Sequence, residues 1–416
     1  MSVTPLLSAR AFADQLHPHL PPNVGLHLWD GVEIPAQHDG CRIHVPDSST
    51  AMQMLFASDS RILAELFVNG SVRVDGDLEA AVGIIDKLAD VRARLPGGPP
   101  PSPSDAHSAN GFAPAQLNGA RDSRERVRTA ISYHYDKPPE FWKLWLDPYL
   151  QYTCGYFAGP DDTLEAAQER KLQLIGAKLD LRSGERLLDL GCGWGGWLCF
   201  AARRFGILGH GITLSEAQLA YAKSQFAELG LANCLSAEIR DFRDLPSEGG
   251  FDKASGVGIM EHAGRALADD YFAAAARNLK PGGLFLSQAI AWTQPPEANR
   301  IDPFLDAYIF PDGELLTIGE ASTAAERAGF EVLDVEGMRE HYVLTARAWL
   351  RRLEAQELAV SRIVGADGFR VFRLYLAGFV HRFSTGAIGV YQLLLRKRAA
   401  GPPSPVSRTS WYPTDR

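Results

Sequence analysis

The sequence predicts an α/β protein: a mostly parallel sheet covered by helices on both faces, preceded by a small α+β domain. Three observations carry this prediction. From Arg121 onward, short apolar runs alternate with stretches of helical spacing, the signature of repeated βα units. Leu188-Asp189-Leu190-Gly191-Cys192-Gly193-Trp194-Gly195-Gly196 runs from a strand through a glycine-rich turn into a helix. Composition breaks sharply once, over Leu95 to Gly119, a run rich in Pro, Gly, Ser and Asn.

Taken in order, Leu26 to Trp29 and Cys41 to Val45 read as strands and Ala51 to Phe67 as a helix. Gly70 to Leu78 alternates as a half-buried strand should, and Glu79 to Arg94 resumes helical spacing. The expected organisation is a small N-terminal α+β domain over residues 1–95, a Pro/Gly-rich linker over 96–120 and a catalytic domain over 121–416. In the last of these, strands are expected at Arg186 to Leu190, Leu208 to Thr213, Ser236 to Arg240, Phe251 to Val257, Gly283 to Ile290 and Phe330 to Val335. Helices lie between them, such as Ser215 to Leu229, and Arg347 to Phe383 is helical with an apolar stripe through Phe372, Tyr375, Leu376, Phe379, Val380 and Phe383. In such a sheet the active site lies at the carboxyl ends of the strands.

Composition narrows the function classes. With 42 Lys+Arg against 50 Asp+Glu, the net charge of −8 argues against a general nucleic-acid binder, which needs a clustered positive surface. The five cysteines are scattered, with no CxxC pair to suggest a zinc site or redox motif, and fit a reduced, cytoplasmic setting. The N-terminus lacks the basic segment of a secretory signal, and no stretch approaches the roughly 20 apolar residues a spanning helix needs. Contact with a membrane from one side stays open.

Gly191, Gly193 and Gly196 satisfy G-x-G-x-x-G, which alone suggests a dinucleotide. A dinucleotide site places an acid at the end of the second strand to hold the ribose. Here that strand ends Gly211-Ile212-Thr213-Leu214-Ser215, and the acid, Asp189, precedes the glycines instead. Asp-x-Gly-x-Gly resembles the first motif of class I S-adenosylmethionine (SAM) methyltransferases, whose loop wraps the amino-acid end of the cofactor.

Further stretches narrow the resemblance. Tyr133-His134-Tyr135-Asp136, Phe141-Trp142, Trp145-Leu146-Asp147-Pro148 and Tyr152-Thr153-Cys154-Gly155-Tyr156-Phe157 resemble the entry segment of cyclopropane-fatty-acyl-phospholipid synthases and mycolic acid methyltransferases. Gly211 to Gln218, Arg240 to Asp244, Gly258 to Gly264, Tyr308 to Gly313 and Glu340-His341-Tyr342 continue the series in the same order, over about 121 to 397. The resemblance implies a class I SAM methyltransferase (Rossmann-like) fold with a helical lid over the acyl chain. It further implies a SAM site of Tyr133, His134, Thr153, Asp189, Gly191 and Gly193, with Thr213 and Gln218 toward the ribose and Asp241 and Phe242 toward the adenine.

The implied reaction is methyl transfer to the cis double bond of an unsaturated phospholipid acyl chain, then loss of a proton to close a cyclopropane. The proton acceptor in the family is a bound bicarbonate; the residues carried over to it are Glu261, Tyr342, Gln288 and the backbone around Cys154 and Ile290. Two positions depart from the family pattern. Gln288 stands where the synthases usually carry His, and Phe379 falls where many carry Cys. Gln hydrogen-bonds an anion but carries no positive charge, so both departures touch the deprotonation side. Other outcomes stay open: a methyl-branched or methylene product, methylation of a soluble small molecule, SAM-dependent lipid binding without turnover, or an NAD oxidoreductase. The resemblance also implies peripheral contact with the inner face of a membrane. A homodimer, common in the family, is carried by no motif here.

Overall fold

The structure, a computed structural model, describes residues 8–57, 59–94, 112–246, 250–296, 302–399 and 407–412. Most of the expected linker over 96–120 lies outside the described residues. The chain forms two compact units. One gathers Met1–Pro114 with Asp302–Ile309 and Leu353–His381, and the other holds Ala115–Ile301, Phe310–Arg352 and Arg382–Arg416.

The N-terminal part runs α1 (Ala9–Leu16), β1 (Val24–Leu28), β2 (Glu33–Ile34), β3 (Cys41–Val45), α2 (Ser48–Phe56), α3 (Ser60–Val68), β4 (Arg73–Gly76) and α4 (Leu78–Arg94). Its sheet has the order β2-β1-β3-β4, with β1 and β3 parallel and the other pairs antiparallel. The single helix expected over Ala51 to Phe67 is two. Asp59 breaks it: its extended backbone and its carboxylate, accepting from the N–H groups of Arg61 (2.9 Å) and Ile62 (3.3 Å), make it the cap of a new helix.

The second unit opens with α5 (Arg124–Tyr135), α6 (Pro139–Lys143) and α7 (Leu164–Lys178). Alternation follows: β5 (Arg186–Leu190), α8 (Gly196–Phe205), β6 (Leu208–Thr213), α9 (Glu216–Glu228), β7 (Leu235–Ile239), β8 (Phe251–Val257), α10 (Met260–Asn278) and β9 (Leu279–Trp292). The chain ends through α11 (Pro303–Tyr308), β10 (Leu316–Thr317), α12 (Ile318–Arg327), β11 (Phe330–Gly337), α13 (Arg339–Ala355), α14 (Glu357–Ser384) and β12 (Ile388–Lys397). The large sheet has the order β11-β12-β9-β8-β5-β6-β7, with β10 beside β9. It is parallel except that β12 runs antiparallel to both β9 and β11. Side chains alternate between two cores. Leu188, Leu190, Ile212 and Phe285 pack against α10 and α12, while Leu187, Leu286 and Leu394 pack against α7 and α8. Each such burial removes a side chain from water at about 1.5–3 kcal/mol, which fixes the strand register beneath the site.

Two late segments pack in the first unit, which a reading in chain order does not anticipate. Tyr308 of α11 donates to Glu65 at 3.0 Å. On α14, Arg370 donates to the Val68 carbonyl at 2.6 Å and Arg373 to the Gly76 carbonyl at 3.3 Å. Among the described residues no helix is long and apolar enough to cross a membrane.

Candidate active site

The site is built at the carboxyl end of β5. After Leu190 the chain turns at Gly191 and Gly193, with φ of 79° and 54°, a region that side chains strongly disfavour. A Cβ at Gly191 would fall 1.9 Å from Ile259, whereas one at Gly193 would meet nothing nearer than Gln218 at 3.9 Å. The missing side chain at Gly193 therefore leaves open the wall of a cavity lined by Asp189, Gly191, Gly193, Thr213, Gln218 and Phe242 of the expected set, and by Thr153. Asp189 is buried; its Oδ1 accepts from Ser255 Oγ at 2.7 Å, and Ser255 in turn accepts from Trp197 Nε1 at 3.0 Å. Burial pushes the Asp189 carboxyl up to about 7.

At the end of β6, Thr213 Oγ1 donates to Gln218 Oε1 at 2.9 Å, and Ser215 caps α9 through the Gln218 N–H at 3.1 Å. Ser215 Oγ also donates to Asp136 at 2.5 Å, tying α9 to the end of α5. Asp241 does not line the cavity. Its carboxylate holds the Arg243 guanidinium at 2.6 Å and the Arg243 N–H at 2.9 Å, leaving Phe242 to face inward.

Helix α5 closes the cavity with Val127, Ile131 and Tyr135, spaced four apart on one face. Tyr133 and His134 lie off that face. Tyr133 carries Lys137 Nζ over its ring at 5.3 Å, and His134 is buried between Tyr152 (5.6 Å) and Phe310 (4.5 Å). Tyr135 Oη lies 3.0 Å from Nε2 of His262, also a lining residue, whose protonation burial pushes down to about 4. His262 is thus neutral at ordinary pH. Tyr135, His262 and Gln151 are lining residues that sequence reasoning did not single out; the four-residue spacing of Val127, Ile131 and Tyr135 was the available signal.

Glu261 sits in the first turn of α10, between lining residues Ile259 and His262. Its Oε1 accepts from the Ile290 N–H at 2.7 Å, and its Oε2 is enclosed without a hydrogen-bond partner among the described residues. Burial pushes this carboxyl up to about 7. Ile290 pairs with Val390, whose carbonyl accepts from the Met338 N–H at 2.8 Å, and the Met338 carbonyl receives both the Tyr342 N–H (3.1 Å) and the Cys154 thiol (3.7 Å). Burial pushes the Cys154 thiol well above its ordinary range, so it stays protonated. Tyr342 is buried with its ring 4.6 Å from that of Phe383. Gln288 Oε1 accepts from Gln392 Nε2 at 3.0 Å. The Ile290 amide, one of the donors carried over to bicarbonate, is thus already given to Glu261.

A glycine turn after the first strand of the parallel run, an acid before it and a polar pair joining the end of the next strand to the helix after it define a class I SAM-dependent methyltransferase. The open wall at Gly193 and the Thr213–Gln218 pair fit that cofactor. The sequence model of the family described as mycolic acid cyclopropane synthetase matches residues 122–393, and the chain belongs to this family. It is 35% identical over 383 residues to a probable fatty acid methyltransferase of Pseudomonas putida, covering 91% of this chain and 92% of that one. It is 32% identical over 286 residues to the cyclopropane-fatty-acyl-phospholipid synthase of Escherichia coli K12, covering 68% and 72% respectively. Among solved structures, the cyclopropane synthase MmaA2 of Mycobacterium tuberculosis superposes with a TM-score of 0.62 at 29% identity, over 65% of this chain and 98% of that one. A mycolic acid cyclopropane synthase in complex with SAH and CTAB gives 0.61 at 29% identity, again over 65% and 98%. The protein is a SAM-dependent methyltransferase of the cyclopropane synthase type.

Proposed function

We propose that this protein methylates the cis double bond of an unsaturated phospholipid acyl chain and closes a cyclopropane ring. Bound SAM supplies an electrophilic methyl group on a sulfonium, which a weakly nucleophilic alkene requires. The chain's own residues then manage a cation on the acyl chain. Tyr135, Ile131 and Val127 exclude water from above the cofactor, and neutral His262 adds no positive charge beside the cation. The observation that carries the reading is Glu261: an enclosed carboxylate with one oxygen unpartnered among the described residues, flanked in the chain by cavity-lining residues. Its Oε2 accepts the proton that leaves the new methyl group as the ring bond forms, while the Ile290 amide holds Oε1 still. The names of the Pseudomonas and Escherichia relatives support a fatty acyl acceptor, and the second supports phospholipid.

For residues 1–95 we propose capture of lipid at a membrane surface. The test is incubation of the purified protein with methyl-labelled SAM and vesicles of cis-monounsaturated phospholipid, followed by mass spectrometry and proton NMR of the released fatty acids. A chain heavier by one CH2 with ring protons is expected. The same mass with a branched or methylene signal places proton loss elsewhere, and label appearing only in soluble acceptors overturns the lipid reading.

A further inference from the structure

Beneath the cofactor cavity, α7 carries two buried polar residues three positions apart, Gln168 and Lys171. Both reach the same segment. Gln168 Nε2 donates to the carbonyls of Thr153 (2.7 Å) and Gln151 (3.3 Å). Lys171 Nζ donates to Gln151 Oε1 at 2.6 Å and to Thr153 Oγ1 at 3.1 Å. Gln151 and Thr153 line the cavity; Lys171 stands one layer behind them.

Lys171 has no exposed surface, both of its hydrogen bonds go to neutral oxygens, and among the described residues it forms no ion pair. A buried ammonium is costly unless negative charge compensates it. The ionisable groups facing it are Asp147, Asp189 and the Cys154 thiol. Asp147 is turned to its own loop, accepting from the N–H groups of Tyr149 (2.9 Å) and Gln151 (2.7 Å), and Asp189 accepts from Ser255. The thiol is uncharged. The floor of the cavity therefore presents a cation behind two neutral side chains and an acid, Asp189, on the lining itself. That pattern complements a zwitterion.

We infer that Lys171 is a positioning residue for the cofactor: acting through Thr153 and Gln151, it polarises these side chains toward the α-carboxylate of SAM, while Asp189 answers the α-ammonium. The ammonium keeps its proton throughout, and no bond is made or broken at Lys171. The inference is independent of which acceptor is methylated. Burial lowers the Lys171 ammonium to about 8, so the effect fades as pH rises past that value.

The test is binding to the full chain, not turnover. Affinities are measured calorimetrically for SAM and for its decarboxylated form, which lacks only the carboxylate. Lys171→Met should weaken SAM about ten- to a hundredfold and leave the decarboxylated form within about twofold. Equal losses for both ligands, or none for either, would make Lys171 structural and overturn the inference. Lys171→Arg serves as a second variant, because its guanidinium does not titrate. In wild type the SAM affinity should fall about tenfold between pH 7 and 9.5, beyond any change that Lys171→Arg shows. The same pH dependence in both proteins overturns the inference even if Lys171→Met does not fold.

Discussion

Glu261 shows what one carboxylate gains from its place on α10. Burial raises its pKa to about 7, with Asp189 raised similarly beneath the cofactor. The native state then holds protons that the unfolded chain has already lost. Their contribution to stability is full below the ordinary carboxylate range and is lost as pH rises through about 7. Catalysis runs the other way, since a proton acceptor must be ionised. At saturating SAM and lipid, kcat should rise with pH through an apparent pKa near 7, and Glu261→Gln should lower kcat at least a hundredfold at pH 8 while SAM affinity stays within about threefold. A stopped assay of labelled lipid across pH 5.5–9 checks both, and an unchanged kcat in the variant would remove Glu261 from the chemistry. At this scale the sequence was most legible where a motif fixes the backbone. Gly191, Gly193 and Thr213 sit at strand ends and Gln218 in the first turn of the helix that follows, all on the cavity wall. It was least legible on α5, where successive residues differ by about 100° around the axis and only the helix phase puts Tyr135 on the cavity with Tyr133 and His134 aside.

Charged contacts join the helices around the cavity. Helix α5 is pinned by Arg124 to Asp244 (2.7 Å), Arg126 to Asp312 (2.5 Å), Arg128 to Glu216 (2.5 Å) and Asp136 to Ser215. Two of these, Arg124–Asp244 and Arg128–Glu216, are largely exposed and contribute little singly. Arg126 differs: it meets Asp312 through two nitrogens, with both side chains about one-fifth exposed, and Asp312 holds a left-handed φ of 60° there. Arg126→Ala should loosen the closing helix and raise the KM for SAM about three- to tenfold, with kcat changed less than twofold. Steady-state kinetics at low and 0.5 M salt decide it. In wild type, salt should raise the same KM by weakening the exposed pairs. Element identity was legible where the apolar period is clear, as in β5, β6 and β8. No strand was read over β12, whose buried Val390, Leu393, Leu394 and Leu395 are interrupted by the equally buried Gln392. That strand lies between β9 and β11 and is buried on both faces, so it shows no alternation to distinguish it from more helix. Gly386, left-handed at φ 76°, was the punctuation that marked the turn.

At the scale of the whole molecule, composition does not give the partition of contacts within the first unit. Which helix fills which core depends on contacts hundreds of residues apart, and no local pattern encodes them. The consequence concerns truncation. Of the arginines between 347 and 382, two that resemble a free basic face are used inside the first unit: Arg370 on the Val68 carbonyl and Asp367, and Arg373 on the Gly76 carbonyl and Glu354. Phe372 meets Phe112 with ring centroids 6.2 Å apart, and Phe304 and Tyr308 are buried in the same unit. A fragment beginning at residue 115 keeps α11 and α14 but loses α1 to α4 and β1 to β4. Phe369, Phe372, Leu376 and Phe379 are all nearly inaccessible in the intact chain and would lose part of their cover. At about 25 cal/mol per Å2 of newly exposed apolar surface, the loss of even a few hundred Å2 rivals the net stability of a domain. The fragment 115–416 should therefore aggregate or melt at least about 5 °C below the full chain, with SAM binding impaired in step. Thermal melting and light scattering of the two proteins side by side provide the check. A soluble fragment with the full-chain melting temperature would mean that α14 does not depend on the N-terminal segment.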